Sequence, residues 1–381
     1  MEIIRPVVIN KTNGHNFVNY GKYLANALVE HNPDNGGRLG IFTGIMGTGK
    51  STLMMRIMLK CIKQNEIVAW RGRPNECIHY IDGWQECTVM HVYDKNKITV
   101  NLLSNKKENI TNKCNIMYYK NPKELIKNLR KCKDNINVIY APTTYPLSNL
   151  LINALHSKYT FNSSDAELSS VNYFWHEFFY LLLKKTNTDW FSLYFDEFDD
   201  IIPDVSSGTE YWLTRFFKDN IKDYRKCNVS LYCAVHNLTD IYYTIVRKFQ
   251  FRIYLKGALV PNFSAVNQNT TLSLKKGEYV IDNGNYGKAS FEKLKKDDNK
   301  YQMLVEIEED ESKKENKKTN DIAKYKLIFQ NKDIKASILK IIDDKGVDTA
   351  YKYLLSLKSD NKISESYYYK LKNQIFKPLM T

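Results

Sequence analysis

The sequence contains no Cys-x-x-Cys pair, no internal repeat, no long apolar run and no secretory start, and it is short of acid. These absences narrow the functions open to it. The seven cysteines, Cys61, Cys77, Cys87, Cys114, Cys132, Cys227 and Cys233, form an odd, scattered set that reads as reduced thiols rather than a disulfide framework. A zinc site built from Cys77, His79, Cys87 and Cys114 stays open, although the spacings match no common zinc module. Met1 to Asn10 lacks the charged start, apolar core and small-residue cleavage site of a signal peptide. The most apolar helical stretch, "VNYFWHEFFYLLL", is interrupted by His176 and Glu177 and is too short to cross a bilayer. A cytoplasmic protein without membrane contact is expected. The 56 basic residues outnumber the 42 acidic ones, for a formal charge of +14, so a polyanionic partner is favoured. With 381 residues, 43% of them hydrophobic, the chain can bury one large core or two ordinary ones.

The N-terminal half alternates buried strands with helices. Residues 16–31 read as a helix, followed by the turn "HNPDNGG". "RLGIFTG" is apolar without polar alternation, as in a strand covered on both faces. "STLMMRIMLKCIKQ" follows as a helix and "EIVAW" as a second strand, a βαβ unit that predicts a parallel sheet. From about residue 75 to 117 the text changes, and "CTVMHVYDKNKITVNLL" reads as two strands around a polar turn, a β-rich insertion. "NPKELIKNLRKC" restarts a helix, with Asn121 as cap, Pro122 in the first turn and Glu124 completing a capping box. "NVIYAP" is a strand, and "SDAELSSVNYFWHEFFYLLLKK" a long helix capped by Ser164 with Glu167 three residues on. "WFSLYFDEFDDIIP" is a strand ending in acids, and a helix near 210–225 leads to the strands "NVSLYCAVHN" and "FRIYLKGA".

Beyond residue 260 the pattern loosens. Residues 261–310 read as a β-rich extension, and 311–330, which the charge run "EEDESKKENKKTND" (308–321) enters, as a charged linker. Residues 331–381 read as three short helices. Ile334, Ile338 and Ile341 share one face, Ala350, Leu354 and Leu357 another, and Tyr368, Leu371 and Ile375 a third. The domain map is therefore an N-terminal helical extension (1–37), an α/β nucleotide domain (38–260), the β-rich extension, the linker and the helical tail.

One motif carries specific chemistry. Gly44-Ile45-Met46-Gly47-Thr48-Gly49-Lys50-Ser51 satisfies G-x-x-x-x-G-K-[ST] between a strand and a helix, the context that motif requires. Its glycines let successive backbone N–H groups face phosphate oxygens, and the following helix, which opens at Ser51 and Thr52, adds its positive end, so that Gly44 to Thr52 form the nucleotide-binding stretch. Lys50 is placed to reach the β- and γ-phosphates of ATP, and Ser51 to ligate Mg²⁺. Asp196 and Glu197 end a buried strand, where open α/β sheets bind ligands. Asp196 suits the Mg²⁺ shell, and Glu197 suits activation of a water. The two motifs lie about 150 residues apart, more than compact small-molecule kinases allow. His236 and Asn237, at the end of "NVSLYCAVHN", are candidate sensors of the γ-phosphate.

"GIMGTGKS", "LYFDEF" and "SLYCAVHN", followed by "LTDIYYTIVRKFQFRIYL", resemble the motif order of the FtsK/HerA-type and viral genome-packaging DNA translocases over residues 38–260. The resemblance implies a P-loop NTPase fold, an α/β architecture with a mostly parallel sheet flanked by helices. It also implies Mg²⁺-dependent ATP hydrolysis, double-stranded DNA as partner and a homo-oligomeric ring. The chain departs from the FtsK/HerA pattern by having His236-Asn237 where a Gln is usual. Arg71 and Arg73 in "IVAWRGRP" are similar to the arginine-bearing second strand of packaging motors, where they would meet nucleotide or DNA phosphate. Such motors insert an arginine across the subunit interface, and Arg215, Arg225 and Arg247 are candidates, with Arg225 placed immediately before the sensor strand. The tail resembles a helix-turn-helix unit, with Lys370 and Lys372 toward phosphates and Ser364, Ser366 or Tyr367 toward groove edges. A nucleotide-switch regulator that binds DNA through this tail without pumping it remains the alternative. A purely structural nucleotide site has no use for the water-activating Glu197.

Overall fold

The computed structural model describes residues 14–31, 36–103, 107–160, 169–183, 187–204, 208–292 and 302–310, and then 338, 341–342, 347–359, 368–369 and 371–376. Its strands are β1 (Leu39–Thr43), β2 (Ile67–Arg71), β3 (Asn75–Glu76), β4 (Thr88–Tyr93), β5 (Asn96–Leu103), β6 (Lys107–Asn109) and β7 (Asn115–Tyr119). There follow β8 (Ile136–Tyr140), β9 (Phe191–Phe195), β10 (Val229–Ala234), β11 (Phe251–Leu255), β12 (Glu278–Asp282), β13 (Tyr286–Ser290) and β14 (Gln302–Glu309). The largely apolar text of β1, β8, β9 and β10, interrupted only by Thr43, Asn137, Ser192 and Ser230, is explained by burial of every residue in them. Strands covered on both faces have no solvent side on which to place polar residues.

Ten strands form one sheet in the order β13-β12-β11-β1-β10-β9-β2-β8-β4-β7. From β11 to β7 every pairing is parallel, while β12 and β13 add an antiparallel hairpin at one end. The chain is thus α/β with a mostly parallel sheet. β1 and β2 are parallel, as the βαβ text implies, but they are not neighbours, because β10 and β9 lie between them. The helix that joins them, α2 (Lys50–Ile62), packs on β2, β9 and β10. β1 connects toward β2 on one side and β10 connects to β11 on the other. Their C-terminal ends therefore flank the point where the winding reverses, the place where such sheets open a crevice.

One face of the sheet carries α2, whose Leu53, Met54, Met58 and Cys61 are buried with Val68, Trp70, Tyr194 and Tyr232. The rings of Trp70, Tyr194 and Tyr232 stack across β2, β9 and β10, with centroids 6.1 and 4.8 Å apart. The other face carries the helix Val171–Leu183 and its aromatic cluster of Phe174, Trp175, Phe178 and Phe179. The helix α1 (Gly14–Ala27) lies against β13, with Gly21 at the crossing. A Cβ there would stand 2.0 Å from the Lys288 carbonyl oxygen, so only glycine admits this approach.

Several local expectations change. Both strands around "DKNK" form, but they join different sheets. β4 joins the main sheet between β8 and β7, whereas β5 enters a second sheet of order β3-β14-β5-β6. Stretch 75–117 is therefore shared between two layers. The region after residue 260 is likewise divided: β12 and β13 extend the main sheet, and β14 pairs with β5 along its whole length. Asn121 caps Glu124 N–H as expected, but the Glu124 carboxylate returns to the amide of Lys120. Described helix begins at Val171, where the Ser170 hydroxyl accepts the Asn172 amide; Ser164 and Glu167 lie outside the described residues.

The chain divides into two units, Met1–Glu309 and Asp310–Thr381. Residues 311–330 lie outside the described residues. The second unit contains the helix Val347–Ser359 and a small core of Ile338, Ala350, Leu354, Leu357, Tyr368, Leu371, Ile375 and Phe376. Ile334, Ser364, Ser366, Tyr367 and Lys370 are outside the described set. Lys372 is inside it, with its ammonium 5.7 Å from the centre of the Tyr351 ring. Among the described residues no helix is long and apolar enough to cross a membrane.

Candidate active site

The site is built where β1, β9 and β10 end. After Thr43 the chain turns through Gly44–Gly49 into α2. Gly49 caps α2 with φ +103°, and a Cβ there would stand 2.8 Å from the Phe291 ring, so its glycine is required twice over. The Thr48 hydroxyl donates to the Ile45 carbonyl at 2.7 Å and fixes the curl of the loop. Lys50 folds back over the loop, its Nζ 2.6 Å from the Gly44 carbonyl oxygen. Burial pushes its ammonium below the ordinary lysine range, opposed by Asp196, then Glu197 and Asp199.

Ser51 and Asp196 meet across the crevice, the hydroxyl donating to Asp196 Oδ2 at 2.6 Å. They come from α2 and the end of β9, 145 positions apart, and form an oxygen pair of the type that holds a hard divalent cation. Glu197 follows in a left-handed conformation, φ 54° and ψ 62°, uncommon for a side-chain-bearing residue and frequent at functional turns. Burial by itself would raise the Glu197 carboxyl. Arg73, which is ion-paired with Oε2, then His236 and Arg71 outweigh this and hold it below the usual range. The other oxygen, Oε1, lies 3.9 Å from His236 Nε2.

These groups line one cavity of about 590 Å³, within the ordinary range for small-molecule sites. It is bordered by Met46, Gly47, Gly49, Lys50, Ser51 and Thr52, by Asp196 and Glu197, and by His236. Cys77, Tyr80 and Lys276 also reach it. Nothing in the spacing of "SLKKGEYV" marks Lys276, which the fold delivers from the turn before β12. Gly44 and Ile45 shape the loop from behind, Ile45 through its amide to the Lys256 carbonyl.

Other candidates are placed elsewhere. Asn237 is absent from the cavity lining, and its side chain closes a capping box with Asp240 over the short turn Leu238–Asp240. Arg71 does not extend to solvent. It donates to the backbone oxygens of Asp196 (3.2 Å) and Glu197 (2.7 Å) and pairs with Asp200 at 2.9 Å, so it braces the acidic turn. Arg225 precedes β10, at the edge of the sheet opposite the cavity. Arg215 lies over the rings of Tyr159 and Trp212, and Arg247 over Tyr243 and Phe263. Cys77, His79, Cys87 and Cys114 do not converge; among the described residues no three His, Cys, Asp or Glu side chains are grouped to hold a metal.

No protein-family profile and no curated protein matches the chain. Solved structures do align with it. The genome-packaging NTPase B204 from Sulfolobus turreted icosahedral virus 2, in complex with ATP-gammaS, aligns at 11% identity over 69% of this chain and 100% of its own, with a TM-score of 0.35. The bacterial conjugative coupling protein TrwBdeltaN70 aligns at 11% identity over 74% and 94%, with a TM-score of 0.43. The conjugation coupling protein TcpA of pCW3 aligns at 14% identity over 69% and 62%, with a TM-score of 0.34.

Proposed function

We propose that this chain is a Mg²⁺-dependent ATPase that moves double-stranded DNA and works as a homo-oligomer. One observation carries the nucleotide chemistry: Lys50, the Ser51–Asp196 pair and Glu197 converge on a single cavity at the mouth of a glycine loop. The donor set fits the ligands. Backbone amides of Gly47–Ser51 and the Lys50 ammonium suit a triphosphate, and the Ser51 hydroxyl with the Asp196 carboxylate would hold Mg²⁺. When bound, the ion neutralises charge on the phosphate oxygens.

The chain's own residues supply the remainder. Lys50 exchanges the Gly44 carbonyl for phosphate oxygen. Glu197 accepts the proton of the attacking water, and His236 borders the same space. The Arg73 pair and the nearby His236 crowd both Glu197 oxygens, so the conformation described is a resting one, in which the base is held ionised and occupied. Releasing Arg73 frees Oε2 for water. The DNA assignment rests on the +14 charge together with the motif order of DNA translocases. Within this reading Arg225 is the residue offered to a neighbouring subunit, and residues 331–381 form a helix-turn-helix-like DNA contact.

The test is the ATPase rate with and without long duplex DNA, with oligomer mass measured alongside by light scattering. Turnover stimulated by duplex of any sequence, in an assembled species, supports a motor. Tight binding to one sequence with slow, unstimulated turnover would replace the motor with a regulator.

A further inference from the structure

Arg73 reaches Glu197 from a turn that belongs to neither β2 nor α2, and the structure shows what holds that turn. Glu76, 3% exposed, sits beneath it. Its Oε1 accepts the amides of Cys77 at 2.8 Å and Ile78 at 3.1 Å, and its Oε2 accepts the amide of Arg73 at 3.4 Å. One carboxylate thus folds residues 73–78 around itself. This places the Arg73 side chain on one flank and the cavity-lining Cys77 and Tyr80 on the other. From outside, the turn is stitched to β14. Glu76 pairs with Met303 and Asn75 with Leu304, and the Val305 amide donates to the Pro74 carbonyl at 2.8 Å. β14 is also the last strand before the second unit begins at Asp310.

We propose that Glu76 is a positioning residue for the hydrolytic step: with β14 it sets the turn that keeps Arg73 on Glu197, so that hydrolysis, and not nucleotide binding, depends on the β3–β14 pairing. The proposal rests on the ATPase reading of the site. Glu76 itself does not line the cavity and does not touch Lys50, Ser51 or Glu197 in the described structure. Loosening the turn lets Arg73 leave the carboxylate, while the glycine loop, to which Glu76 makes no hydrogen bond, is unchanged. The physical signature is a change in turnover at constant nucleotide affinity.

The experiment is a double-mutant cycle in the full-length chain, with Glu76→Ala, Arg73→Ala and the pair, read by DNA-free kcat and by nucleotide Kd from fluorescent ATP analogue titration. Glu76→Ala is expected to raise DNA-free turnover several-fold with Kd unchanged within about two-fold. The double variant should turn over like Arg73→Ala alone, because both act on one contact. Glu76→Gln keeps an acceptor for the Cys77 and Ile78 amides but turns its own N–H donors toward the Arg73 amide, so it should fall between wild type and Glu76→Ala; it also guards against misfolding of the alanine variant. Additive effects, an equal loss of Kd, or a Gln variant as perturbed as Ala would overturn the positioning role. A wild-type chain that neither binds nor hydrolyses nucleotide would instead remove the ATPase reading, and the proposal with it.

Discussion

Replacing Arg73 with alanine tests the resting-state reading directly. Arg73 and Glu197 are 30% and 32% exposed, so their attraction must be discounted for solvent. Unit charges ~4 Å apart attract by about 4 kcal/mol at an effective dielectric of about 20. Partial exposure brings the usable part to about 1–2 kcal/mol. If hydrolysis requires this pair to open, removing it lowers the barrier by that amount, a rise of about 5–30-fold in DNA-free turnover. Base strength moves the same way, because Arg73 is among the groups that hold the Glu197 carboxyl low, and its loss lets the carboxyl rise and accept a proton more readily. The DNA-stimulated rate should change little, since the pair is already open there. The assay is steady-state phosphate release at saturating ATP, with and without duplex. A DNA-free rate that falls, or stays flat, refutes the holding role and makes Arg73 a group that touches phosphate.

Lys50→Ala should abolish turnover and weaken nucleotide binding, because the loop loses its cation; full Mg-ATPase activity in this variant would remove the phosphate cradle. Glu197→Gln should bind ATP normally and hydrolyse it about 10²–10⁴-fold more slowly, the usual cost of losing a general base, measured by single-turnover phosphate release against equilibrium binding. Burial raises the Glu76 carboxyl to about 7, with backbone amides of Cys77, Ile78 and Arg73 opposing. A folded-state value above the unfolded one favours the protonated fold, so this group's contribution to stability is present below about pH 4.5 and is lost as pH rises to about 7. Chemical denaturation across that window should show wild type losing about 3 kcal/mol more than Glu76→Gln; parallel curves would mean that Glu76 is ionised throughout. Finally, Arg225→Ala and Lys50→Ala chains, each inactive alone, should recover partial ATPase when mixed, and no recovery despite shown co-assembly excludes Arg225 as a residue acting in trans.

The parts legible in the sequence were those governed by local rules. The glycine loop announces itself because only glycine tolerates φ +103° beside the Phe291 ring, and the text around it must be strand and helix. β1, β8, β9 and β10 are visible as largely apolar runs because burial on both faces erases the two-residue period. Strand order was not visible. Nothing in "EIVAW" says that β9 and β10 will lie between it and β1, since that depends on which crossover each helix makes. The parting of β4 from β5 was hidden for a related reason. A polar "DKNK" turn looks the same whether the strands pair with each other or with partners far away, and β5 finds its partner in β14, beyond residue 300. Lys276, Cys77 and Tyr80 reach the cavity from segments whose own spacing is ordinary. Asn237 is drawn into a local structural role: its side-chain oxygen accepts the Asp240 amide in a capping box over the short turn it precedes, and the residue does not line the cavity.

The arginines sort themselves by what already holds them. Arg71 and Arg73 belong to the acidic turn, Arg215 and Arg247 lie on aromatic rings, and Arg38 pairs with Glu66 inside the sheet edge. Arg225 differs by position. β10 runs from Val229 to Ala234, and its two ends face opposite edges of the sheet, roughly 20 Å apart at about 3.3 Å per residue. Arg225 precedes one end and His236 follows the other, so no side chain spans that gap within one subunit. A cis role for Arg225 is therefore excluded by length alone. A head-to-tail ring joins two different surfaces of identical subunits, and it is the arrangement in which a residue far from its own cavity can serve the next one. The same distance that removes Arg225 from its own site is thus a condition for its use in a neighbour's, and only an assembly that brings the edge before β10 to the crevice after β9 meets it.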